Sequence, residues 1–235
     1  RRISQLAALL SLLLMCGLLL AWPELAALDR GVMDLLQAAR TEQLDRWMVL
    51  VTSIGDSRIL AVTGGLLVVV LLWFRQRRAA IFAAASMALT ALLVSVLKTL
   101  LARPRPQVLL EPLQSFSLPS GHSSAAFAFF LVLGVLAGRG QPPRWRVTWL
   151  LLAGLPASAI ALSRVYLGVH WTTDVMAGGL LAGAVCAACL ALVQRRESLP
   201  PLPARLWWLL LPLMLLVITS YELWHLPAAL ALYQR

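Results

Sequence analysis

Charge is scarce in this chain of 235 residues: Asp, Glu, Lys and Arg together make up 13% of it, with 10 acids against 20 bases. Hydrophobic residues reach 60% and mean hydropathy is +0.83, which excludes a soluble globular domain. Cysteine is scarcer still. Cys16, Cys186 and Cys189 all sit in apolar stretches, and the pair at 186 and 189 lacks the His or further Cys partners that a metal site needs, so all three read as packing residues. No internal repeat and no low-complexity linker is present, which excludes a solenoid. The first apolar run is too long for a signal peptide and has no small-x-small cleavage site before Pro23, so it is expected to remain as a span. No Met begins the chain, and the expectation is that it is one domain of something longer.

What is present is a series of apolar runs of roughly the 20 residues that cross a bilayer. They cover 3–22, 48–74, 79–101, 123–138, 147–167, 172–193 and 206–221. The reading is an all-α, polytopic membrane helix bundle, with a six-span core in residues 1–198 and an additional C-terminal segment and tail in 199–235. Pro200, Pro201 and Pro203 mark the break. Gly64, Gly65, Gly178, Gly179 and Gly183 read as points of close helix approach. Arginine collects on one side of the spans, at Arg1 and Arg2, Arg75 to Arg78, Arg139 to Arg146 and Arg195 to Arg205, which assigns that side to the cytoplasm. The formal charge of +10 is therefore divided between two faces, and a nucleic-acid surface is a poor reading. Between the first two spans, Leu25, Leu28, Val32, Leu35, Leu36 and Ala39 recur at helical spacing opposite Asp29, Arg30, Asp34 and Arg40. The pattern predicts an amphipathic helix on the outer leaflet.

Three short polar clusters stand where spans meet water on the outer side, at 98–106, 119–122 and 163–174. Charge near a bilayer is costly, so it is kept mainly where it has work to do. In Pro119-Ser120-Gly121-His122, Ser120 is placed to cap a helix whose free amides and dipole attract an anion, and Gly121 lets a phosphate oxygen approach the backbone. His170 and Asp174 are four apart at a helix start, where a carboxylate on one ring nitrogen fixes the tautomer and leaves the other free to attack. Arg164, across a turn containing Gly168, has a planar fork suited to two phosphoryl oxygens. Lys98 ends a span, and Arg103-Pro104-Arg105-Pro106 leaves it on a stiff, extended segment. Taken singly, each cluster also reads as a capped helix, a surface salt bridge or snorkelling cations.

Taken together, they resemble a known family. Lys98, six residues, Arg105-Pro106; Pro119-Ser120-Gly121-His122; and Ser163-Arg164, five residues, His170, three residues, Asp174 match the three-part signature of the type 2 phosphatidic acid phosphatase superfamily. The resemblance implies a lipid phosphatase needing no metal or other cofactor. His170 would attack phosphorus, Asp174 would orient it, and His122 would serve as general acid and then base. Lys98, Arg105, Ser120, Gly121 and Arg164 would hold the phosphoryl oxygens, with Arg103 a candidate substrate contact. The lipid keeps its tail in the bilayer, and phosphate is released outside the cytoplasm.

Family substrates are phosphatidate, phosphatidylglycerol phosphate, lipid A phosphates and undecaprenyl diphosphate. The Arg-, Leu- and Ala-rich composition looks bacterial, which places the chain in the inner membrane with its site toward the periplasm. Undecaprenyl diphosphate comes first, by analogy with similar domains fused to DedA-type membrane domains. A lipid transporter or flippase is the non-enzyme rival. It would call for polar or broken helices at the midplane, where the sequence offers little beyond Ser86, Thr90 and Ser95. Haloperoxidases share the clusters but are soluble.

Overall fold

A computed structural model describes residues 2–108 and 114–233. Arg1, counted above among the cytoplasmic cations, and the final residues 234–235 of the tail lie outside them. Among the described residues the regular elements are nine α-helices: α1 Arg2–Ala21, α2 Ala26–Ala38, α3 Glu42–Ile54, α4 Ser57–Trp73, α5 Arg77–Leu101, α6 Gly121–Ala137, α7 Pro143–Tyr166, α8 Thr172–Val193 and α9 Ala204–Leu232. Five of them (α1, α5, α7, α8 and α9) are long and apolar enough to cross a membrane, and α3 with α4 makes a sixth if that bent pair is one span. The helix α6, at 17 residues, is apolar but shorter. The chain is a multi-pass membrane helix bundle.

Two spans differ from the sequence expectation. The run at 48–74 is not one helix: it bends by 43° between α3 and α4, where the Asp56 side chain accepts the Arg58 amide at 2.7 Å and caps the second half. The last helix does not stop at Tyr221 but continues to Leu232. Its Glu222 Oε2 lies 2.9 Å from Ser53 Oγ of α3, so a carboxylate that reads as the end of an apolar run is instead accommodated inside the bundle.

The expected amphipathic helix is α2, and one residue of its polar face, Asp29, turns inward. In α2 the buried residues are Asp29 and Met33, while Leu28 and Leu35 are exposed. Val32 and Leu36 pack beside Met33 against the bundle, and the inward aspartate meets polar partners described below.

Span α8 is the most enclosed, packed against α1, α5 and α6. Its small residues let neighbours come close, as expected of membrane interfaces. A Cβ on Gly178 would stand 2.8 Å from Ser124 Oγ and 3.0 Å from the Ser120 carbonyl of α6. Cys186 and Cys189 are buried in the same core. The ends of α5, α7 and α9 and the starts of α3, α6 and α8 gather at one face, over which α2 lies.

Candidate active site

The three clusters meet at that face because each is pinned by local geometry. Helix α5 ends at Leu101 and is capped by Ala102, in the left-handed region at φ 44°, and the chain leaves through Arg103-Pro104-Arg105-Pro106. The returning segment fastens to this exit: the Ser117 amide donates to the Arg103 carbonyl at 2.9 Å, and Lys98 Nζ donates to the Phe116 carbonyl. Helix α6 starts at Gly121 with Ser120 as its N-cap, the Oγ accepting the Ser123 amide at 3.4 Å. Ser120 in turn donates its own amide to the Asp174 carbonyl at 3.0 Å, tying the α6 start to the first turn of α8. Between α7 and α8, Gly168 adopts φ +73° with Val108 against it, a turn that an L side chain would strain.

That turn delivers His170 beside Asp174. Nδ1 of His170 lies 3.3 Å from Asp174 Oδ2, which also accepts the Trp171 amide at 2.9 Å. The other ring nitrogen, Nε2, is 3.0 Å from Arg105 Nη1. A guanidinium only donates, so Nε2 carries the lone pair and Nδ1 the proton facing the carboxylate. Arg105 is itself fully engaged, donating to the Val169 carbonyl at 2.7 Å, the Ser115 carbonyl at 2.6 Å and Ser115 Oγ at 2.8 Å. His122 stands half-buried on the first turn of α6, within the fields of Lys98, Arg105, Arg164 and His170. Gly121 approaches Lys98, whose Cε would lie 4.0 Å from an added Cβ.

Two arginines differ from expectation. Arg103 does not face an open site: its side chain is 4% exposed and is divided between Asp174 Oδ1 and Asp29 Oδ2, both at 2.7 Å. Two carboxylates hold it more strongly than a solvated position could. Arg164 is buried and gives Nη1 to Thr52 Oγ1 at 2.9 Å and Tyr233 OH at 2.6 Å, while its Nε is buried with no partner. Asp29, Thr52 and Tyr233 carried no site signal in the sequence, because each acts through a partner far away along the chain, and Ser115 and Ser117 lie in a segment without helical spacing.

The electrostatics favour an anion. Burial, then the charges of Arg105, Arg164 and Lys98, pull His170 well below the ordinary imidazole range, which keeps it neutral. Burial and the neighbouring Arg164 push the Arg105 guanidinium down to about 10. Asp174 shares Arg103 with Asp29, so those three groups carry one net negative charge against the three positive charges of Lys98, Arg105 and Arg164, and the balance at the site is positive. An orphaned buried donor such as Arg164 Nε calls for an acceptor. Among the described residues, no three His, Cys, Asp or Glu side chains converge as metal ligands do.

Comparison with known proteins matches residues 79–198 to the PAP2 superfamily. Phosphatidylglycerophosphatase B of Bacillus subtilis is 39% identical over 92 residues, covering 37% of this chain and 44% of that protein. An undecaprenyl-diphosphatase of Sulfolobus acidocaldarius is 35% identical over 118 residues, covering 47% of this chain and 53% of that one. The chain thus spans about half the length of these two relatives. Among solved structures, the transmembrane PAP2-type phosphatidylglycerolphosphate phosphatase of Bacillus subtilis superposes with a TM-score of 0.71, covering 81% of this chain and 98% of that one. At 24% identity that likeness is one of fold. With the family match spanning half of the residues and enclosing all three polar clusters, the chain belongs to the PAP2 superfamily.

Proposed function

We propose that the protein is a metal-independent lipid phosphatase of the bacterial inner membrane, acting at the periplasmic face through a phosphohistidine. The observation that carries the reading is the His170 ring, held between Asp174 on Nδ1 and Arg105 on Nε2 in a buried, cationic pocket. In the first step Nε2 attacks phosphorus, the P–O bond to the lipid breaks, and His122 gives its proton to the leaving oxygen. Asp174 stabilises the imidazolium side of the developing charge. In the second step His122 takes a proton from water, the hydroxide attacks phosphorus, and the P–N bond breaks to return free His170 and inorganic phosphate. Lys98, Arg105, Arg164, the Ser120 hydroxyl and the Gly121 amide hold the equatorial oxygens, supplying the positive charge that a metal would provide elsewhere.

The lipid tail has a path to this site. A cavity of about 800 Å³ runs between α4, α5 and α6, lined by apolar residues such as Leu60, Met87 and Val94, and reaches Lys98 and Gly121. The names of the relatives support a lipid monophosphate or diphosphate, and undecaprenyl diphosphate is the first choice, ahead of phosphatidylglycerophosphate, phosphatidate and lipid A phosphate. The division at 198 belongs to the same reading, supported by where the family match ends, although Tyr233 ties the second part to the site.

Purified protein in detergent, offered these four lipids, is expected to release phosphate fastest from undecaprenyl diphosphate, with EDTA without effect and His170→Ala inactive. Full turnover in the His170 variant would remove the nucleophile and the reading with it. The break between α3 and α4, beside Glu222 of α9, is what a lipid transporter or flippase would use. In that case the phosphate would stay on its lipid in the same assay.

A further inference from the structure

We infer that Asp29, carried by the outer helix α2, is a positioning residue of the reaction, acting on His170 through Arg103 and Asp174. The inference rests on His170 being the nucleophile.

The contacts form a closed relay. Asp174 divides its carboxylate: Oδ2 takes His170 and the Trp171 amide, and Oδ1 takes Arg103 Nη1 at 2.7 Å. Arg103 therefore sets the rotation of the carboxylate that aims the imidazole. Arg103 is set in its turn. Nη1 also donates to Thr173 Oγ1 at 2.7 Å, and Nη2 donates to Asp29 Oδ2 at 2.7 Å. Asp29 closes the loop by accepting the Thr173 amide on Oδ1 at 3.0 Å and the Thr173 hydroxyl on Oδ2 at 2.6 Å. A residue from α2 thus serves as a cap for the first turn of α8. The Arg103 guanidinium is flanked by two indoles, its Cζ 4.7 Å from the Trp22 ring centre and 5.6 Å from that of Trp171.

Charge explains why an aspartate is needed there. Arg103 beside Asp174 alone would neutralise the carboxylate that must stabilise an imidazolium. With Asp29 the three buried groups carry one net negative charge, so Asp174 still offers that charge when His170 becomes positive. Side-chain exposures of 1% for Asp29, 4% for Arg103 and 0% for Asp174 leave little water to screen the effect. A buried ion pair kept for stability alone is often replaceable by apolar residues, so its placement one residue from the nucleophile is informative.

The groups facing His170 are Lys98 at the end of α5, Arg105 in the segment after it, His122 of α6, Arg164 of α7 and Asp174 of α8, with Asp29 and Arg103 behind Asp174. Asp29→Asn keeps the shape and removes one negative charge. With undecaprenyl diphosphate and phosphatidylglycerophosphate as probes, it is expected to lower kcat about 10- to 100-fold, the usual cost of losing a partner that orients a histidine. KM should stay within about twofold, and the acid limb of the pH profile should move to lower pH, because the protonated ring loses support. Removing the Arg103 charge as well, in Asp29→Asn with Arg103→Gln, should move that limb back. If Asp29→Asn does not fold, Arg103→Lys decides, since its single, shorter-reaching nitrogen loses the two-pronged geometry by which Nη1 holds Asp174 and Nη2 holds Asp29, and it should show the same split between kcat and KM. A kcat and pH profile within about twofold of the parent in whichever single variant folds would overturn the inference. His170→Ala measured alongside separates the two failures: turnover there sinks the phosphatase reading, whereas a dead His170→Ala with a normal Asp29→Asn sinks only the relay.

Discussion

Arg105 Nη1 sits 3.0 Å from His170 Nε2, on the side from which phosphorus must approach if that nitrogen is the nucleophile. The arginine thus marks the position of the incoming anion. When a phosphoryl group arrives, the N–H held by the imidazole can turn to a phosphoryl oxygen and release the lone pair. The bonds from Ser115 and Val169 keep the guanidinium plane in place. Arg105→Ala is expected to lower kcat about 10²- to 10³-fold, as loss of one preorganised donor does. Arg105→Lys restores charge but not the fork, and should recover only a small part. Single-turnover phosphate release measures both, and parity between the lysine variant and the parent would show that the fork is dispensable.

The lowered pKa of His170 makes a second prediction, for stability as well as rate. Its folded value lies well below the ordinary one, so between the two the unfolded chain binds more protons and folding weakens as pH falls. The contribution is complete above about pH 6.5 and is lost as pH drops toward the folded value, at up to about 1.4 kcal/mol per pH unit. The thermal midpoint in detergent should therefore fall between pH 7.5 and 5 more steeply for the parent than for His170→Gln. Equal slopes would mean that the ring is not buried neutral. The acid limb of kcat/KM should likewise lie below the ordinary imidazole range.

Close packing between α6 and α8 carries a third. A methyl group on Gly178 would press on Ser124 Oγ and the Ser120 carbonyl, the same residue whose amide is bonded to Asp174. Gly178→Ala is expected to cost about 1 to 3 kcal/mol by overpacking. It should also lower kcat, because the α6 start is pushed away from the histidine it faces. Gly154→Ala, where a Cβ meets nothing within 4 Å, is the control and should change neither quantity. Equal effects at the two sites would show that the contact at Gly178 does not matter.

The contrast between these residues shows what the sequence could and could not reveal. Ser120 as a cap and His170 with Asp174 on one turn depend on spacings of a few residues, which helix geometry converts directly into contacts. Asp29 is different. Its pattern placed it on the polar face of an amphipathic helix, and its partners lie more than 70 residues away. Arg103 reads as a substrate contact because it lies two residues before the signature arginine Arg105 and a shift of that size could let it serve, and only the fold shows two carboxylates enclosing it. The length of α9 was underestimated because Glu222 breaks the apolar run, and nothing local reveals Ser53 waiting on another helix.

That longer helix supports the last prediction. Tyr233, at the far end of α9, is 2.6 Å from Arg164 Nη1, and the Arg164 guanidinium lies 5.8 Å from the Tyr233 ring centre. Thr52 holds the same nitrogen from α3. The segment beyond residue 198 therefore reaches Arg164 although the family match ends there. If Arg164 binds the phosphoryl group, Tyr233 fixes the direction of its fork, and a hydrogen bond to a charged group contributes roughly 1.5 to 3 kcal/mol. Tyr233→Phe keeps the ring contact and removes the hydroxyl. It is expected to lower kcat/KM by about tenfold or more, because Thr52 alone leaves the guanidinium free to rotate, and to lower the thermal midpoint by roughly a few degrees. Tyr233→Ala, which also removes the ring, should lower both further. A Tyr233→Phe enzyme with unchanged kcat/KM would make α9 a packing element without a part in phosphate binding.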